Sequence, residues 1–140
     1  MKRTNFQSGS PFEPLRGYSR AVLMGDSLYI SGTNALLKSG EVRGGNSAYD
    51  QAKYALEKIK LVLAKANFEI SDVVRTRMYV TNLAKWDEYA QAHREVFFDV
   101  RPSSSIVQIS RLVDPRLLVE IEVDAVKGTT IFESEAIELL

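Results

Sequence analysis

Cysteine is missing altogether from this sequence, and histidine occurs once, as His93. Without cysteine there is no disulfide, no thiolate zinc site and no cysteine nucleophile. With one histidine and no His-Glu-x-x-His or similar pair, a dedicated metal is not expected. A serine-histidine-aspartate triad could use only His93, and no Gly-x-Ser-x-Gly elbow surrounds any serine. No organic cofactor is expected either. Net charge is missing as well: 18 lysines and arginines balance 18 aspartates and glutamates. Nothing therefore draws the chain as a whole to nucleic acid or to an anionic membrane. No apolar run approaches the ~20 residues that span a bilayer. The start, Met1 to Gln7, lacks an apolar segment after its charges, so it does not read as a signal peptide. The expected location is cytoplasmic.

What remains is an ordinary globular composition, 45% apolar and 26% charged, which argues against disorder. At 140 residues the chain fits one domain with one core, residues 1–140. There is no internal repeat. Residues 7–17 hold two of the four prolines and read as a loop. Tyr18 to Met24 and Ser27 to Ser31 are rich in strand formers, and Gly25-Asp26 between them suits a two-residue hairpin turn. Residues 32–46 carry four glycines and read as a second loop region.

The clearest helix is Ser47 to Ala66. Ala48, Ala52, Ala55, Leu56, Ile59, Leu63 and Ala66 recur every three or four residues and share one face. Ser47 and Asp50 have capping-box spacing. Val73 to Thr81 reads as a strand, with Arg75, Arg77 and Tyr79 alternating against Val74, Thr76, Met78 and Val80. A second helix is expected from Lys85 to Phe98, with a stripe of Trp86, Tyr89, Ala90, His93, Val96 and Phe97. Pro102 then breaks the chain. Ser104 to Ile109 and Leu117 to Val126 are the last strands. In the final one Val119, Ile121, Val123 and Ala125 face one way, and Glu120, Glu122 and Asp124 the other. The tail from Gly128 to Leu140 has no clear partner.

This order predicts a mixed α/β (α+β) fold: a sheet with two helices on one face. The other face carries the arginines and tyrosine of one strand or the acids of the other. Such a face meets water or another subunit, which makes oligomerisation plausible. Arg75 and Arg77 could bind an anion, but such a pair is more often answered by carboxylates across the sheet.

Several segments, in order, resemble the YjgF/RidA family, also called endoribonuclease L-PSP. They are Gly17-Tyr18-Ser19-Arg20-Ala21-Val22, Tyr29-Ile30-Ser31-Gly32-Thr33, Gln51-Ala52, Asp72-Val73-Val74-Arg75-Thr76, Phe97-Phe98 and Val119-Glu120-Ile121-Glu122. The resemblance covers residues 17–127. It implies a chorismate-mutase-like fold and a homotrimer with three small-molecule clefts between subunits. It also implies hydrolysis of 2-imino or enamino acids to 2-keto acids and ammonia. In such a cleft an arginine clamps the substrate carboxylate and a glutamate positions water. Carried onto this chain, the resemblance makes Glu120 the catalytic residue. Tyr18, Gly32, Gln91 and Ser104 become ligand-binding residues.

Two of these positions differ from the family pattern. Gln91 stands where the family has asparagine. Ser104 stands where it has the clamping arginine, in Pro102-Ser103-Ser104-Ser105, and Ile106 replaces a cysteine found in some members. One extra residue near Asp114-Pro115-Arg116 precedes the glutamate strand. A serine cannot supply the charge-assisted fork of a guanidinium, where hydrogen bonds to charge contribute roughly 1.5–3 kcal/mol. Small 2-imino acids should therefore react poorly, and a changed substrate or binding without catalysis is expected. Arg20, two residues from Tyr18 on the same side of a strand, could hold an anionic ligand instead; otherwise it is a surface arginine with an ion-pair partner. His93 reads as a packed, hydrogen-bonded histidine or as a proton carrier. A ribonuclease is disfavoured, since no aromatic platform is interleaved with basic residues.

Overall fold

The final strand of the sequence lies inside the sheet, not at its edge. In the computed structural model, which describes residues 1–139, β6 (Val119–Val126) is hydrogen-bonded antiparallel to both β3 (Ser27–Asn34) and β4 (Val73–Val80). The six-stranded order is β1-β2-β3-β6-β4-β5, with β1 at Arg3–Phe6, β2 at Ala21–Met24 and β5 at Ser103–Gln108. Only β4 and β5 run parallel. The strict alternation of β6 explains its place. Val119, Ile121, Val123 and Ala125 are all buried on the helix side.

Helix α2 (Ala48–Lys65) begins as its sequence demands, with the Ser47 side chain accepting from the Asp50 amide. That contact satisfies one of the orphan donors of the first turn. Ala48, Ala52 and Ala55 are fully buried and let the helix sit close on β3 and β6. Leu56, Ile59 and Leu63 fill the layer between, each burial stabilising by roughly 1.5–3 kcal/mol. Helix α3 (Trp86–Phe97) packs beside α2.

Several expectations from sequence need correction. The N-terminal residues are not all loop: β1 pairs with β2, and Phe12–Arg16 forms a short helix, α1, closed by Gly17 at φ 75°. The first hairpin strand starts later than expected, at Ala21–Met24, and the second runs on past Ser31, as Ser27–Asn34. On β4 a bulge between Val73 and Arg75 takes Val74 out of the core and leaves it exposed, so that Val73, Thr76, Met78 and Val80 are the buried set. On α3 the stripe is narrower than the apolar pattern suggests. Tyr89, Ala92 and Phe97 are buried, but Trp86 is half exposed. Trp86 is the first residue of the helix.

The outer face carries both charged sets at once, because β4 and β6 are neighbours. Arg77 sits opposite Glu122 and Tyr79 opposite Glu120. Arg75 and Arg77 both reach Asp124, at 3.9 and 3.3 Å, and the Tyr79 hydroxyl donates to Glu122. The paired arginines are thus answered across the sheet. The tail leaves β6 through Gly128 and Thr129, whose amides are held by the buried Asp72 carboxylate, and its apolar residues Phe132, Ile137 and Leu139 are exposed. Of this tail, Leu140 lies outside the described residues.

Candidate functional site

The site residues expected from sequence fall into two groups on opposite sides of the sheet. The first is built where β3 meets β6. Register shifts between Ile30 and Thr33, a bulge that holds Ser31 and Gly32; pairing resumes with Thr33 opposite Ile121 and sets Asn34 opposite Glu120. Glu120 lies on the outer face because Val119 and Ile121 point into the core. Its carboxylate lies against Gly32: a Cβ at that position would meet Glu120 Oε2 at 2.5 Å and Cδ at 2.7 Å. A side chain at position 32 would therefore displace the end of Glu120. The other carboxylate oxygen, Oε1, accepts from Asn34 Nδ2 at 2.9 Å. The Asn34 side-chain oxygen in turn accepts from the Leu36 amide. Glu120 is fixed through one oxygen, and Oε2 remains to hold a water or a ligand proton.

Two cations close in on the same stretch of backbone. Arg20 Nη2 donates to the Gly32 carbonyl at 2.7 Å. Lys58, reaching across from α2, donates to the Asn34 and Leu36 carbonyls at 2.8 Å each. Neither forms an ion pair among the described residues. Burial, helped by the Arg20 charge, pulls the Lys58 pKa down to about 8. Arg20 Nε is buried without any partner, an arrangement with a real desolvation cost. The Tyr18 ring lies beside the Arg20 guanidinium, 5.9 Å away, and Arg16 sits 4.1 Å from the same ring. Tyr18, Arg20, Gly32 and Glu120 thus come together, and this end of the site is positive around one carboxylate.

The second group does not join them within one chain. Ser104 on β5 turns toward the helix layer, where its Oγ is 2.8 Å from Thr76 Oγ1. Thr76 pairs with Ser104 on one side and Val123 on the other. Ser104 is thus two strands and three residues away from Glu120, roughly 14 Å within the sheet at ordinary strand spacings, and on the other face. Gln91 is exposed on α3 and donates to Glu95. His93 is half-buried; its Nε2 meets Thr76 Oγ1 at 2.8 Å and its ring lies on Phe97. Burial lowers its pKa. The hydrogen-bonded reading of His93 holds, though its partner is a strand threonine and not another member of the helical stripe.

Sequence reasoning missed Asn34, Lys58 and Thr76. Thr76 left a signal, as a hydroxyl at a core phase of β4. Lys58 left none, because its position is set by where the chain turns after β3. A groove of about 500 Å³ between β1 and α1 reaches Tyr18 and Ser19 but not Glu120 or Ser104. Among the described residues no cluster of three histidine, aspartate or glutamate side chains could hold a metal ion, and no helix is long and apolar enough to cross a membrane.

This geometry can be set beside known proteins. The sequence model described as endoribonuclease L-PSP matches residues 9–127. The chain belongs to the YjgF/RidA (endoribonuclease L-PSP) family. Among solved structures, Rv2704 of Mycobacterium tuberculosis, described as a member of the YjgF/YER057c/UK114 family, superposes with a TM-score of 0.81 at 40% identity; the match covers 89% of this chain and 99% of that one. A RutC family protein of Pyrococcus horikoshii, PH0854, is 31% identical over 91% of this chain and 99% of its own. The 3-aminoacrylate deaminase RutC of Acinetobacter baylyi is 31% identical over 81% of this chain and 88% of its own length. Family membership accounts for the mixed sheet with two long helices on one face.

Proposed function

We propose that this protein is a small-molecule-binding member of its family that hydrolyses an imine or enamine, with Glu120 positioning the attacking water. The observation that carries this reading is the Glu120 carboxylate, tethered by Asn34 through one oxygen and seated on Gly32 with the other. An acceptor held in this way can orient water for attack on a C=N carbon. The resemblance to a protein named 3-aminoacrylate deaminase supports the same class of reaction. Because Ser104 replaces the clamping arginine, the substrate differs from the small 2-imino acids. Arg20 is the cation that remains, beside Tyr18 and without a carboxylate partner, and it suits an anionic ligand.

The active assembly is a homotrimer whose clefts lie between subunits. Two observations support it. The halves of the site lie on opposite faces of one sheet, so only a second copy can bring Ser104 and Gln91 up to Glu120. The outer face also carries Tyr29, half exposed, among charged residues. Sedimentation equilibrium at micromolar concentration should give about three times the 15.7 kDa of the chain; a clean monomer would refute the assembly.

A coupled assay for ammonia release tests the reaction. Very weak turnover is expected with 2-aminoacrylate and 2-iminobutanoate, and turnover of at least one other imine or enamine that Glu120→Gln abolishes. Arg20→Ala should weaken 2-keto acid binding by about tenfold, since one charge-assisted hydrogen bond is lost. Turnover that survives Glu120→Gln would refute the role of Glu120. Unchanged 2-keto acid affinity in Arg20→Ala would remove the anion site. In that case the second reading, a trimer that binds a neutral metabolite without catalysis, gains ground.

A further inference from the structure

Ser104, Thr76 and His93 form a hydrogen-bonded chain of three. Thr76 Oγ1 lies 2.8 Å from Ser104 Oγ and 2.8 Å from His93 Nε2. Thr76 is fully buried and has a single hydroxyl proton, so it donates to only one neighbour at a time. This gives the chain two settings. With a proton on Nε2, His93 donates to Thr76, Thr76 donates to Ser104, and the Ser104 O–H is free to point outward as a donor. With Nε2 bare, every bond reverses, and Ser104 offers a lone pair outward as an acceptor. The other ring nitrogen, Nδ1, has no protein partner. Arg20 Nε is the one buried side-chain nitrogen or oxygen lacking a partner among the described residues, so Nδ1 is reached by solvent and can exchange its proton there.

Burial disfavours the charged form of the imidazole. On β4, Arg75 and Arg77 lie on the outer face with Asp124. On α3 and α2, Glu95 and Tyr49 are bonded to one another. No charged group shifts His93; burial alone does so, downward. A neutral imidazole has one bare ring nitrogen that can take a proton. Ser104 itself is exposed on the edge strand, which puts the open end of the chain within reach of a ligand.

We propose that Ser104, Thr76 and His93 are a proton relay standing where a fixed cation would otherwise bind, and that the ligand group received there is an uncharged hydroxyl or primary amide, not a carboxylate. This rests on the reading of Ser104 as a wall of the ligand cleft. A hydroxyl or amide both gives and takes a hydrogen bond, and the relay matches either by reversing. A carboxylate has no hydrogen to give and finds no charge. Where a ligand O–H ionises, its proton passes to Ser104, the serine proton to Thr76 and the threonine proton to Nε2. The products are a ligand oxyanion and an imidazolium, with no other bond changed.

Because His93 is the sole histidine, nitrogen-resolved NMR of the imidazole in the whole protein reads the relay without ambiguity. Without ligand, Ser104→Ala should move the Nε2 resonance and the His93 titration midpoint. Thr76→Val should move them further, and Thr76→Ser should restore them. A His93 spectrum indifferent to Ser104→Ala overturns the relay, whether or not Thr76→Val folds. With 2-oxobutanamide as probe, Nε2 should shift in the native protein. In Thr76→Val it should not, although the Ser104 backbone amide still responds. The carboxylate probe, 2-oxobutanoate, should leave His93 in place. No His93 response to either probe, or a stronger response to the carboxylate, overturns the assigned ligand group. Ammonia release is scored separately: its absence alongside an intact His93 response would refute the deaminase reading and leave the relay standing.

Discussion

Glu120 and Ser104 lie in the same sheet but are held in opposite ways. Glu120 belongs to a central strand, bonded on both sides, and its carboxylate is fixed by Asn34 and fitted to Gly32. Ser104 belongs to the edge strand β5, whose residues are mostly exposed, and is tied to the interior through one hydroxyl. A central strand can hold a side chain within a few tenths of an ångström, as water positioning requires. An edge strand tolerates changes in what it displays, because little packs on it. It is therefore physically reasonable that substitution is better tolerated at Ser104 than at Glu120.

The largest expected effect tests this difference in rigidity. Ile121, beside Glu120 on β6, is fully buried, while Val107 on β5 is nearly half exposed. Ile121→Ala should cost about 2–5 kcal/mol in urea unfolding, from lost burial plus the cavity left behind. Val107→Ala should cost about 0.5 kcal/mol or less. Similar losses at both positions would mean that β5 is as well packed as β6, and the contrast would fail.

Next is Gly32→Ala, which separates function from stability. Its methyl would meet the end of the Glu120 side chain. That end can swing away, so the fold should survive at a cost of roughly 1 kcal/mol or less. The carboxylate would lose its seat, however, and turnover should fall by tenfold or more, about 1.4 kcal/mol of barrier. Unchanged turnover with unchanged stability would show that Glu120 does not act from the position described.

Asn34→Ala should have an effect of similar size, read in stability instead of turnover. It removes the hydrogen bond to Glu120 and leaves the Leu36 amide without its partner, which should cost about 1–2 kcal/mol in thermal or urea unfolding. The matching change at the other end, Ser104→Ala, leaves the exposed face of β5 intact, and its expected effect on stability is smaller.

The contrast also governs what could be read from the sequence. The alternation in β6 revealed both the core and the outward glutamate, because a central strand obeys a period of two along its length. The spacing of alanines and leucines in α2 was equally legible. The bulge that exposes Val74 was not, since an extra residue slips the alternation by one without changing composition. Short α1 was hidden among two prolines, where a five-residue helix has no periodicity to display. Thr76 could be placed in the core phase, but its role depends on β5 running parallel beside β4, a long-range pairing that no local pattern encodes. Lys58 lies off the apolar stripe of α2, and nothing in that stripe tells that β3 brings two carbonyls within its reach.

The smallest effect is expected at Asp114, in the loop that delivers β6. Arg116 forks onto both oxygens of Asp114, its backbone amide adds a third bond, and its guanidinium also reaches the Gly40 carbonyl. The hydrogen bonds from the Arg116 side chain and backbone, with its charge behind them, pull the Asp114 pKa down to about 2 from the usual 3.8. A carboxyl whose pKa is lower folded than unfolded stabilises the fold fully above its unfolded pKa. That contribution fades as pH falls from about 4 toward about 2. The pair is open to solvent, so salt should weaken it as well. Melting temperatures of the native protein and Asp114→Asn should therefore differ slightly at neutral pH and converge in acid, and the neutral gap should shrink in about 1 M salt. A gap that persists unchanged through the acid range would place the effect of the substitution in the loop backbone instead of the ion pair, and would make this loop as rigid as the glutamate end it leads into.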